Sequence, residues 1–177
     1  LVEIGVGNGG SLFMWKKFLG KKANIIGVEL NPEAKKLEKY GFQIFIGDQS
    51  DPIFWRSFYK KVRNIDILID DGGHTNLQQI TSFMEAIHYI NDNGLIVIED
   101  THTSFMNYKG FKNPSKNSFI NFSTNIIENI HRRNPMLKRK MNEISNKIYS
   151  IEYYDSIVAI NIKKKNLNYL KNIQNNK

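Results

Sequence analysis

The sequence predicts an α/β domain built on a doubly wound, mostly parallel sheet with a C-terminal antiparallel hairpin. Three observations carry that prediction. Short apolar runs alternate with helix-like segments through the first hundred residues, each run ends in a polar or glycine-rich cluster, and two late apolar runs are joined by a tight turn.

The run 1–5 is short, apolar and followed by glycines, as a buried parallel strand would be. Leu12, Phe13, Trp15, Phe18 and Leu19 recur at helical spacing over 11–19. Residues 24–30 read as a strand, and Pro32 opens a helix to about Lys39 from an Asn31 cap. Residues 42–46 form a third strand, and Asp51-Pro52 starts another helix by the same capping logic. The run 65–69 is almost wholly apolar and ends at two aspartates. A helix over 76–90 presents Leu77, Ile80, Phe83, Met84 and Ile87 on one face. Residues 91–94 read as a turn and 95–98 as a fifth strand. The stretch 101–118 lacks periodicity and reads as a long lid-like loop. Residues 119–131 are helical in pattern, and 148–153 and 157–162 pair as the hairpin.

Composition narrows the function classes. With 41% apolar and 24% charged residues, the 177-residue chain fits one folded domain. Cysteine is absent, which excludes disulfide scaffolds, zinc-thiolate sites, iron–sulfur clusters and cysteine nucleophiles. Charges interrupt every apolar run, so no span of a bilayer is expected, and a cytoplasmic setting is the default. The net charge of +8 is lopsided: residues 131–177 hold 11 Lys and Arg against 3 acids, while 1–130 balance at 14 and 14. A nucleic-acid surface would not be so confined, and the basic stretch 132–140 lacks interleaved aromatics, so it reads as a solvated face and no nucleic-acid partner is expected. The chain opens on Leu1 inside a strand, with neither an initiator Met nor a signal peptide. It is expected to be a fragment: a domain over 1–163 whose N-terminal part is missing, and a basic tail over 164–177.

In a parallel sheet, reactive groups gather beyond the carboxyl ends of the strands, where this sequence puts its polar clusters. Glu3 to Ser11 places Gly5, Gly7, Gly9 and Gly10 between the first strand and first helix. Such a loop can cradle a dinucleotide, although the spacing is not GxGxxG and no Gly-Lys-Ser/Thr follows; a simple tight turn is the plain alternative. Glu29, one strand on, can accept two hydrogen bonds from a ribose diol and serves an adenosyl cofactor or NAD equally. Asp48 and Gln49 could meet an adenine or ribose edge. The sharpest feature is Asp70-Asp71-Gly72-Gly73-His74. Adjacent acids at a buried strand end must be solvated, hydrogen-bonded or neutralised. A second pair, Glu99-Asp100, ends the next strand, so Asp71, Glu99 and Asp100 could form an oxygen site suited to Mg²⁺ unless they are solvated loop acids. His74 is placed to accept a hydroxyl proton beside that cation; direct ligation is the lesser alternative. His102 falls on the loop, as a substrate contact or a surface residue, while His88 and His131 read as structural.

Taken together, the segments 3–11, 47–51, 70–74 and 99–105 resemble the metal-dependent sugar O-methyltransferases of macrolide biosynthesis, a family also labelled cephalosporin hydroxylase. The resemblance implies a class I S-adenosylmethionine-dependent methyltransferase fold, a doubly wound, mostly parallel seven-stranded sheet with a C-terminal antiparallel hairpin. It implies S-adenosyl-L-methionine and Mg²⁺ as cofactors and a sugar or glycoside acceptor. It places Glu3, Gly5, Gly7, Gly9, Ser11, Glu29, Asp48, Gln49 and Asp70 at the methyl donor. Asp71, Glu99 and Asp100 match the metal ligands, and His74, with Asp71, the catalytic pair. Where the family usually has Asp-Asp-Gly-Ser-His, this chain has Gly73 in place of the serine. The family's tendency to self-associate makes a homo-oligomer an expectation. The competing expectations are an NAD-type oxidoreductase, a hydroxylase-like oxygenase, which would favour two histidines and one carboxylate, and an inactive truncated domain.

Overall fold

A computed structural model describes residues 1–107, 116–131 and 143–163. Seven strands form one sheet in the order β3-β2-β1-β4-β5-β7-β6. They are β1 (Val2–Ile4), β2 (Ile26–Glu29), β3 (Gln43–Ile46), β4 (Ile65–Asp70), β5 (Ile90–Ile98), β6 (Ile148–Tyr154) and β7 (Ile157–Ile162). The first five run parallel; β7 lies antiparallel to β5, and β6 antiparallel to β7. The expected seven-stranded, doubly wound sheet with its terminal hairpin is therefore present. Strand order reverses between β1 and β4, and a crevice opens beyond the carboxyl ends at such a switch point.

Among the described residues, four α-helices connect and cover the strands: α1 (Gly10–Leu19), α2 (Pro52–Lys61), α3 (Asn76–Ala86) and α4 (Phe119–His131). Alternation along each strand sends side chains to two faces. On one face Val2, Ile4, Val28, Leu68 and Ile96 meet Trp55, Phe58, Phe83 and Phe119 in the larger core. On the other, Val6, Ile25 and Ile44 meet Leu12, Ala34 and Leu37 in a smaller one. Both predicted caps form: the Asn31 side chain accepts from the Glu33 N–H at 3.0 Å, and Asp51 from the Ile53 N–H at 2.8 Å.

Several predicted elements differ in detail. The segment after Asn31 is a 3-10 helix, Pro32–Tyr40, rather than an α-helix. The helix expected to reach residue 90 ends at Ala86, because Ile90 is fully buried as the first residue of β5, paired with Ile65. Residues 91–94 are not a free turn; they lie within β5, where a register shift after Ile65 absorbs them and Asn93 turns to φ 61°. Ile87 and Ile90 mimic helical spacing, which hid the change of element. On α3, Phe83 is buried as expected and so is Ile87 just past its end, but Leu77 and Met84 face outward, and Gln79, Ser82 and Ala86 are buried instead. Within the expected loop 101–118, Thr101–Phe105 winds into a short 3-10 helix. The rest of that loop from 108 to 115, the basic stretch 132–140 and the tail 164–177 lie outside the described residues. No helix among the described residues is long and apolar enough to cross a membrane.

Candidate active site

β1 ends at a seam between two loops. The Gly5 N–H donates to the Val28 carbonyl at 2.8 Å and the Asp71 N–H to the Ile4 carbonyl at 3.0 Å, drawing the chain after β4 against the glycine loop. Gly5 has φ 82°, and a Cβ there would stand 2.0 Å from the Asp71 carbonyl oxygen, so only glycine fits. Gly7 is different: a Cβ would meet nothing within 4 Å, so its backbone faces open space. That space is a cavity of about 340 Å³ lined by Gly5, Gly7, Glu29, Asp48, Asp71 and Gly72, among others.

Glu29 is held rigidly at the cavity wall. Its Oε2 accepts from the Gly7 N–H at 3.0 Å, and Oε1 from the N–H groups of Leu30 and Asn31 at 2.8 and 3.0 Å. Oε2, with a single N–H donor, keeps acceptor capacity for a hydroxyl. Asp48 accepts from the Ser50 hydroxyl and N–H, both at 2.7 Å, and these bonds hold its carboxyl below the usual range. Glu3 and Ser11 lie beneath the loop rather than along the cavity. Glu3 is buried, which pushes its carboxyl up, while Ser11 and Trp15 beside it offset part of that rise. Gly9 serves as the N-cap of α1 at φ 85°. Gln49 lines the cavity, but its amide turns inward, toward Asp70, Ser82 and Gly73. Asp70 is fully buried, and burial pushes its carboxyl up to about 6.

The acids at the ends of β4 and β5 converge. β4 and β5 are adjacent, and the Glu99 N–H donates to the Asp70 carbonyl at 2.9 Å. His74 Nε2 stands 3.4 Å from an Asp100 carboxylate oxygen and 3.7 Å from one of Asp71. One ligand atom from each of Asp71, His74 and Asp100 lies within 4.8 Å of the others. Glu99 sits beside this trio but outside it: its carboxyl is pushed up first by burial and then by Asp71 and Asp100. Asp71 is likewise pushed up, chiefly by burial, with His74 opposing and Asp100 adding to the rise. The grouping thus has an imidazole where the sequence suggested a third carboxylate. His102 Nδ1 lies 3.8 Å from Asp100 and contacts the Ser156 hydroxyl. His88 contacts Lys147 at the surface, and His131 is exposed at the end of α4.

Two features show that this donor set fits a small divalent cation. Acids whose charged forms are disfavoured by burial and by one another gather with no Lys or Arg ion pair among the described residues. Carboxylate oxygens of Asp71 and Asp100 and a ring nitrogen of His74 also converge, all within 4.8 Å of one another. Carboxylate oxygens suit Mg²⁺ or Mn²⁺, and an imidazole leans toward the latter.

Sequence reasoning missed the residues that hold these groups. The Thr103 hydroxyl donates to the His74 carbonyl at 2.8 Å, and Gln79 Nε2 to the Glu99 carbonyl at 2.9 Å. The Thr75 and Gln78 side chains cap α3 reciprocally. The available signal was a pair of polar residues, Gln79 and Ser82, on the helix face that also carries Phe83 and Ala86.

No protein-family model matches the chain. Among curated proteins, it is 31% identical over 139 residues to 8-demethyl-8-alpha-L-rhamnosyl tetracenomycin-C 2'-O-methyltransferase of Streptomyces olivaceus, covering 74% of this chain and 36% of that protein. It is 33% identical over 124 residues to demethylmacrocin O-methyltransferase of Streptomyces fradiae, covering 66% and 31%. The chain thus spans about a third of the length of these relatives. In structure it is similar to MycE methyltransferase from the mycinamycin biosynthetic pathway, solved with Mg, SAH and mycinamycin VI: TM-score 0.81 and 26% identity, over 92% of this chain and 44% of that one.

Proposed function

We propose that this chain, a relative of the class I S-adenosylmethionine-dependent O-methyltransferases that act on macrolide sugars, transfers a methyl group from S-adenosylmethionine to a hydroxyl of a sugar or glycosylated small molecule. One observation carries the reading: Asp71 belongs both to the wall of the glycine-loop cavity and to the Asp71–His74–Asp100 cluster. A nucleoside-sized space and a cation-seeking acid group therefore share a residue. Residues 1–163 make up the domain we assign to this chemistry.

When bound, S-adenosylmethionine supplies a methyl carbon on a sulfonium, and a divalent cation makes a nearby hydroxyl more acidic. The chain's own residues do the rest. Glu29, locked by three backbone N–H groups, and the open Gly7 backbone hold the nucleoside end, with Asp48 further along the same wall. Asp71 and Asp100, with Glu99 beside them, hold the cation. His74 accepts the acceptor's hydroxyl proton at Nε2, and the neighbouring carboxylates stabilise the charge the ring acquires. With donor and acceptor bound, the two walls would set the acceptor oxygen, the methyl carbon and the sulfur in line, as transfer of the methyl from sulfur to oxygen requires. Alignment of those three atoms by both walls is the main catalytic contribution. A cluster with one imidazole also departs from the two-histidine set an iron oxygenase favours.

The test is methyl transfer from labelled S-adenosylmethionine to a panel of deoxysugar glycosides, with EDTA and with Mg²⁺ restored. The expected result is activity lost in EDTA and recovered with Mg²⁺. Asp71→Ala should lose Mg²⁺ stimulation while still binding S-adenosylhomocysteine. Failure to bind S-adenosylhomocysteine, or transfer indifferent to metal, overturns the reading.

A further inference from the structure

Gln49 stands in the loop after β3, between Asp48 on the cavity wall and the start of α2, and every polar atom of its side chain is engaged. Its Nε2 donates to Asp70 Oδ1 at 2.6 Å and to the Ser82 hydroxyl at 2.9 Å. Its Oε1 accepts from the Gly73 N–H at 3.0 Å, and its main-chain carbonyl accepts from the Trp55 indole at 2.8 Å. Turning the amide over would set oxygen against the Asp70 carboxylate and NH₂ against the Gly73 N–H, so its orientation is determined by its neighbours. Only about 5% of the residue is exposed.

The partners of this amide lie at the turn that delivers His74. Asp70 Oδ1 also accepts from the Gly72 N–H, at 3.3 Å, so Gln49 and Asp70 anchor the two peptide N–H groups between Asp71 and His74. There is no slack at the contact: a Cβ on Gly72 would fall 2.2 Å from the Gln49 Oε1. His74 itself has φ 55°, a left-handed conformation that a non-glycine residue keeps only where its surroundings over-determine it. Thr103 grips its carbonyl from the far side.

We propose that Gln49 is a positioning residue which ties the cavity-wall loop after β3 to the Gly72–His74 turn and so sets where the His74 imidazole stands. The role rests on the methyl-transfer reading above for its catalytic consequence, though the mechanical link does not. Gln49 then acts through Gly73 and His74 rather than by bonding a cofactor, which gives it a signature distinct from that of a cofactor contact.

The test is Gln49→Met, together with Gln49→Met/Asp70→Asn, in which no carboxylate is left buried without its amide partner. Three quantities are read: hydrogen exchange at the Gly73 amide, the His74 ring resonances by NMR (identified with a His74→Ala reference), and steady-state kinetics beside S-adenosylhomocysteine titration. The expected result is Gly73 exchange faster by about tenfold or more, displaced His74 resonances, kcat lower by about 10²-fold, and S-adenosylhomocysteine affinity within about threefold of wild type. Unchanged Gly73 exchange and His74 resonances in a folded variant overturn the proposal. So does an affinity loss of more than about tenfold with kcat intact, which would make Gln49 a cofactor contact. Should wild-type protein bind S-adenosylhomocysteine but methylate no acceptor, the functional reading fails while exchange and NMR still decide the role of Gln49.

Discussion

On the β2–β3 side of the cavity, Glu29 and Asp48 accept hydrogen bonds from backbone N–H groups and a serine hydroxyl; on the β4–β5 side, Asp71 and Glu99 have other acids and one imidazole for neighbours. The first wall satisfies its carboxylates before any ligand arrives, and what it offers is oriented acceptors for hydroxyl groups. The second wall leaves its charges in deficit, so its complement is a cation. The two walls therefore answer acid in opposite directions. Asp48, held below its ordinary value, contributes stability that is present above the unfolded carboxyl pKa and fades as pH falls through the lowered one. Asp70, Asp71 and Glu99 hold their protons more tightly folded than unfolded, so they cost stability as pH rises through the carboxylate range and return it on acidification.

The comparison breaks most severely at the seam between the walls. Gly5→Ala drives a Cβ into the Asp71 carbonyl and forces φ 82° on an alanine. A loss of about 4 kcal/mol or more in urea unfolding is expected, and a loss under about 1 kcal/mol would mean the two loops part easily. The opposite pH responses come next. Burial lifts Asp70 to about 6, so Asp70→Asn should remove about 2 kcal/mol of the stability change between pH 4 and pH 6. Ser50→Ala should act on the other wall by less than about 1 kcal/mol, shrinking the stability lost on acidification. Thermal unfolding from pH 4 to pH 8 measures both, and parallel rather than opposed changes would dissolve the distinction.

The sequence showed the glycine-loop wall well, because its pieces are local. The glycines, Glu29 and the capped Asp51-Pro52 start each declare themselves within a few residues. It also showed that Asp71 and Asp100 would meet, since consecutive strands with acidic ends tend to be neighbours. It placed His74 beside that meeting point too, three residues past Asp71, whereas the inward turn of Gln49 was not readable. His74 joins the trio because of a left-handed backbone turn, and Gln49 faces inward because Asp70, from a strand 21 positions on, lies within its reach. The Gln49–Asp70 contact joins distant segments, and one sequence holds no record of it. The helix end at Ala86 was obscured for a local reason, the coincidence of Ile87 and Ile90 with helical spacing.

The central claim is that the β4 and β5 ends share one divalent cation beside the cavity. Titration of Mn²⁺ followed by electron paramagnetic resonance tests it without any acceptor. One tight ion per chain is expected, weakened about tenfold to a hundredfold by Asp71→Asn and by Asp100→Asn and unmoved by Asp48→Asn. Equal Mn²⁺ binding in all four proteins would contradict it.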